Sequence, residues 1–131
     1  MSWSQFDLGS DFDVATLSVV ATLDPTGANG VVEDVLRMFQ ASLEPLLVRL
    51  ERHRATGSMS DIRFEAHKLY SAAGQLGAVR LTRACNAVLD RFHEEGRRAP
   101  EIMDTEFDSL LIQLIGEIIR VQRKLAQLLQ R

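Results

Sequence analysis

The chain has 131 residues, of which 46% are hydrophobic and 25% charged, the proportions of an ordinary globular domain with enough apolar side chains for one core. A formal net charge of −3 supplies no basic field of the kind that dominates nucleic-acid affinity, which excludes DNA or RNA as the main partner. The single cysteine, Cys85, excludes an intramolecular disulfide framework, and its place in an apolar helical stripe makes it a small buried hydrophobe.

Residues 1–10 are mostly polar, with Trp3 and Phe6 as isolated aromatics, and are expected to form a flexible N-terminal segment, with residues 11–131 as one domain. The first twenty residues hold no Lys or Arg, so a secretory n-region is missing, and a cytoplasmic protein is expected. Ser10, Asp11 and Asp13 offer capping oxygens for a short helix through Leu17, Val20 and Ala21. Asp24-Pro25-Thr26-Gly27 reads as a turn. From Gly30 to Ala55, Val31, Val35, Met38, Phe39, Leu43, Leu46, Leu47 and Leu50 recur at helical spacing; Pro45 predicts a kink in one continuous helix.

Residues 56–60 close that helix, and Ser60 or Asp61 is placed to cap the next, over 61–75. Gly77 permits a tight reversal into a helix over 79–95 that buries Leu81, Cys85, Val88 and Phe92. After a connection at 96–100, a long helix over 101–130 aligns Phe107, Leu110, Leu111, Leu114, Ile118, Val121, Leu125 and Leu128. Its most apolar part, residues 110–119, is broken by Gln113 and Glu117 and is too short to span a bilayer. Strand-like alternation is missing throughout. Short links between amphipathic helices predict an all-α fold, an antiparallel up-down four-helix bundle with a short extra N-terminal helix. The last helix could pair with a second copy as a coiled coil, but the other helices need its apolar face for cover, so a monomer is expected.

The segment from His67 to Ala78 carries the chemistry. At about 100° per residue, Ile62, Ala66, Leu69, Ala73 and Leu76 gather into one stripe, and His67 falls about 140° from its centre. Arg63 and Tyr70 flank it on one side, Phe64 and Ser71 on the other, with Gly74 further along the same face. His53 and His93 have no partners at metal-ligand spacing and read as surface histidines, so no metal site is proposed. The carboxylates fall on polar helix faces and suggest no acid/base pair. The chain has no Gly-rich phosphate loop of the Walker or kinase type, which argues against ATP binding or autonomous kinase activity.

The pattern His67-x-Leu69, then Gly77-Ala78, then Leu81 and Cys85, with Val88 and Leu89 following, resembles the histidine-containing phosphotransfer (HPt) domain of multistep two-component phosphorelays. The resemblance implies that His67 accepts a phosphoryl group from a phospho-aspartate on the receiver domain of a hybrid histidine kinase and passes it to an aspartate of a response regulator. It implies a stoichiometric carrier rather than an enzyme, with no cofactor of its own and Mg²⁺ supplied by the partner receiver. The chain departs from the family in having Tyr70 and Ser71 where Lys and Gly are usual, three and four residues after the histidine.

A phosphoryl group gains from a nearby cation. Arg63, one turn before His67, is the nearest substitute for that Lys, Lys68 can reach round from a quarter-turn away, and Ser71 offers a hydroxyl donor. For docking, the small residues Ser71, Gly74 and Ala78 should admit a partner's backbone, Phe64 and Tyr70 supply apolar area, and Gln75 lies on the same segment. On the following helix Asn86, with Arg83 and Asp90 behind it, should sit level with the imidazole. The alternative is a binding-only adaptor or inhibitor of a receiver or kinase that keeps the fold without transfer, which Tyr70 in the Lys position favours.

Overall fold

Val32, Leu36, Phe39, Leu43, Leu46 and Leu50 are spaced alternately four and three residues apart, the interval that keeps side chains on one helical face. A computed structural model describes Phe12, Thr22, Thr26, residues 30–93 and residues 103–129, and in it these six residues line the buried side of a helix, α1, Val31–Thr56. Three more helices follow: α2, Met59–Leu76; α3, Val79–His93; and α4, Thr105–Leu128. Each packs against its neighbours in sequence, and α1 closes the ring against α4.

Ion pairs between helices set an antiparallel register. Arg49 of α1 meets Glu65 of α2, Arg80 and Arg91 at the two ends of α3 meet Glu117 and Asp104, and Arg54 near the end of α1 meets Asp108 near the start of α4. At the opposite end Arg37 donates to the carbonyl of Leu129. The all-α four-helix bundle expected from sequence is therefore the observed fold. Among the described residues no strand forms; an isolated bridge joins Phe12 to Ala78, with Phe12 buried in the core. The predicted flexible segment and short N-terminal helix lie outside the described residues, as do residues 94–102, while Thr26 of the predicted turn does lie in a turn.

The buried stripe of α1 is one residue out of the expected frame at its start. Met38 is 73% exposed, whereas Val32 and Leu36 are buried. The four-three spacing, read backwards from Phe39, selects Leu36 and Val32 and leaves Met38 on the outer face. Helix α1 runs unbroken through Pro45, because Pro45 and Ala41, whose carbonyl loses its partner, both face solvent.

Gly57 and Gly77 end α1 and α2 in the left-handed conformation, at φ 67° and φ 70°. At Gly77, its N–H reaches the carbonyl of Gly74 and that of Ala78 reaches Ala73, a Schellman closure. Because Gly57 closes α1 so tightly, α2 begins at Met59, and neither Ser60 nor Asp61 caps it as expected. Ser58 is the N-cap residue, and its side chain accepts no backbone hydrogen bond; its hydroxyl donates instead to the Asp61 carboxylate, 2.5 Å away. The last helix begins at Thr105 rather than 101, since Asp104 accepts from the Phe107 N–H at 2.7 Å and fixes the start there. Seven residues of α4, from Phe107 to Leu125, are buried within the bundle. Among the described residues no helix is long and apolar enough to cross a membrane.

Candidate functional site

Helix α2 holds its outer face rigidly because both shoulders are anchored. On the α1 side Glu65, buried to 7% exposure, receives two hydrogen bonds from Arg49, Nε at 3.0 Å and Nη2 at 3.2 Å. On the α3 side the Arg63 guanidinium lies 5.6 Å from the Phe92 ring centroid, and Phe92 meets the buried Phe107 of α4 edge-on, their centroids 5.6 Å apart. Inward, Ile62, Ala66, Leu69, Ala73 and Leu76 are all buried, so the expected apolar stripe is the observed one.

His67 stands between those shoulders, exposed to solvent. Among the described residues no hydrogen bond or ion pair is formed by its ring. It lines an open groove of about 700 Å³ together with Ser58, Met59, Ser60, Arg63, Phe64, Lys68 and Phe92. Two cations therefore border the histidine, each lodged on an aromatic face: Arg63 on Phe92, and Lys68 with its Nζ 5.2 Å from the Phe64 centroid. Cation–π contact of this kind holds a charge in place while leaving its donors available. Lys68 also borders a smaller cavity between α1 and α2, beside Arg49 and Glu65.

The other site residues expected from sequence divide into those on this face and one that is not. Phe64 is 61% and Tyr70 39% exposed; Ser71, Gly74 and Gln75 are exposed as well. A Cβ placed on Gly74 would meet nothing within 4 Å, so the surface above it is open. Asn86 is exposed on α3. Because Arg80 and Arg91 reach α4 from one shoulder of α3, helical geometry puts Asn86 on the other, beside α2, while Arg83 and Asp90 face outward between them. Ala78 is the correction. It is fully buried and bridged to Phe12, which removes it from any docking face; the Schellman closure, in which its N–H donates to the Ala73 carbonyl, holds it there.

Phe92, Ser58 and Met59 border the groove without having been singled out as site residues. Phe92 was expected only as core, yet it is half-buried. Counting distances either side of Gly77 places Phe92 within one residue of the level of Arg63, so the sequence did carry a signal. Cys85 is fully buried, and burial pushes its thiol up to about 12, which keeps it protonated and unreactive. Among the described residues no cluster of His, Cys, Asp and Glu could hold a metal ion.

No curated protein and no solved structure matches the chain. The family model described as Hpt domain matches residues 34–130, from the first turns of α1 to the end of α4, with the exposed His67 inside the match. The chain thus belongs to the Hpt domain family, whose members serve as phosphocarrier modules and interact with receiver domains in two-component phosphorelays.

Proposed function

We propose that His67 is the phosphoryl carrier of this domain, taking the group from the phospho-aspartate of a hybrid histidine kinase's receiver and delivering it to an aspartate of a response regulator. The observation that carries this reading is the solvent-exposed imidazole in the middle of a helix pinned on three sides, within a family that transfers phosphoryl groups. In the forward step an imidazole lone pair attacks phosphorus, a P–N bond forms, the P–O bond to the aspartyl carboxylate breaks and the carboxylate leaves as an anion. In the second step a carboxylate of the next receiver attacks the same phosphorus and the imidazole leaves. Such transfers depend chiefly on in-line positioning and charge stabilisation, and a stiff helix supplies the first.

Arg63 and Lys68 offset the negative charge of the phosphoryl group, and Ser71 contributes a hydroxyl donor. Phe64, Tyr70, Gly74, Gln75 and Asn86 make up the face against which the receiver packs, with aromatic area beside an open backbone. The receiver brings the Mg²⁺; this chain acts as a monomeric, stoichiometric, cytoplasmic carrier without kinase activity of its own. Incubation with phosphorylated receivers produces an acid-labile, base-stable phosphoprotein from the wild type and none from His67→Gln. Absence of label from every receiver of the source organism overturns the carrier role.

Tyr70, in the place of the usual Lys, favours a second reading, a binding-only adaptor that occupies a receiver or kinase. In that case His67→Gln leaves receiver binding and cellular output unchanged, whereas the carrier role requires output to be lost.

A further inference from the structure

The guanidinium of Arg63 is the positive charge closest in helical geometry to His67, one turn before it on the same outward face, and what fixes it is a residue of another helix. Phe92 of α3 borders the same groove as His67, presents its ring to Arg63 at 5.6 Å, and is held edge-on by Phe107, itself fully buried in α4. An exposed arginine ordinarily samples many rotamers; one seated on a braced aromatic ring samples fewer and keeps its planar fork of donors for an anion. The position three residues after the histidine, where the family usually has its cation, holds Tyr70.

We propose that Phe92 is a positioning residue for phosphoryl transfer: its ring, backed by Phe107, holds the Arg63 guanidinium beside His67 so that the charge is already in place when the phosphoryl group arrives. The proposal rests on His67 being the acceptor and deepens that reading by naming what arranges its electrostatics. In this proposal Phe92 acts through Arg63, on which its ring bears.

The test uses the full chain and phosphoramidate, a small donor that needs no partner. The P–N bond to the imidazole forms as ammonia leaves, and ³¹P NMR follows the phosphohistidine. Two negative charges facing one cation across the groove set the expected effect at about tenfold at low salt. Arg63→Ala therefore slows phosphorylation about tenfold, and Phe92→Leu does the same. Phe92→Tyr, which keeps the ring, retains the wild-type rate. In an Arg63→Ala background Phe92→Leu makes no further difference, and both deficits shrink together as salt rises.

A merely structural role predicts otherwise, since a loosened α3 slows the reaction whether or not Arg63 is present and at any ionic strength. Additive losses in the double variant, or a Phe92→Leu deficit that survives at high salt, overturn the proposal. Should Phe92→Leu fail to fold by circular dichroism, Phe92→Met preserves apolar volume while removing the aromatic face and is read in the same way. Undiminished phosphorylation of His67→Gln instead refutes the acceptor assignment, a failure distinguishable from that of Phe92.

Discussion

At the scale of single residues, the outer face of α2 combines one exposed imidazole with small or flat neighbours, and Gly74 separates stability from docking. A methyl group there meets empty space, and alanine is the better helix former by up to about 1 kcal/mol, so Gly74→Ala raises the melting temperature. The same methyl stands where a receiver's backbone is proposed to approach, so receiver affinity falls; calorimetry on the variant reads both, and tighter binding would remove Gly74 from the interface. The two cations also differ. Arg63 is braced by another helix, whereas Lys68 rests on Phe64 of its own helix and borders a second cavity. Transfer from a phosphorylated receiver into Arg63→Ala is accordingly slower than into Lys68→Ala, and equal rates would show that neither substitutes for the missing third-position Lys.

At the scale of the elements, the buried carboxylate of Glu65 joins α1 to α2 directly behind the histidine. Arg49→Ala strands that charge with 9% of its side chain exposed. Because Arg49 itself is 40% exposed, the loss is discounted to about 1–2 kcal/mol, measurable by denaturant unfolding. Glu65→Leu in the Arg49→Ala background recovers most of it, since the uncompensated charge is gone; a further loss in the double variant would mean that the pair contributes more than mutual compensation.

The helices and their apolar stripes were legible in the sequence because α2, α3 and α4 repeat their hydrophobic residues without ambiguity. The start of α1 was less so, as Val31, Val35 and Met38 form a rival frame to Val32 and Leu36 that only packing decides. Element starts were blurred where several capping residues compete: Ser58, Ser60 and Asp61 around the start of α2, and Asp104 within an acidic run at the start of α4. The outward position of His67 and of its flanks Arg63, Phe64, Tyr70 and Ser71 was readable from helical angle. What periodicity missed was contact between helices, the burial of Ala78 under Phe12 and the seating of Arg63 on Phe92, which depend on how the turn at Gly77 is closed.

For the whole molecule, the ring of four helices is closed by the α1–α4 seam, and that seam senses acid. Hydrogen bonding from Arg54, helped by its charge, holds the Asp108 carboxyl below its ordinary value of 3.8, and the Arg54 guanidinium is raised in turn, chiefly by the same bond. A carboxyl that titrates lower in the folded than in the unfolded chain stabilises the fold at pH above its unfolded value and ceases to do so as pH falls through its folded value. Asp108→Asn is therefore less stable than wild type near pH 6, and the gap narrows as pH drops below 4. A gap that stays constant across this range would show that the ion pair contributes nothing pH-dependent to the seam.

The bundle's role in this account is to hold one of the chain's three histidines in the open. Mass spectrometry at alkaline pH, after exposure of the full chain to phosphorylated receivers, locates the phosphoryl group. The account predicts modification at His67 and at neither His53 nor His93; modification elsewhere, with His67 unmodified, contradicts it.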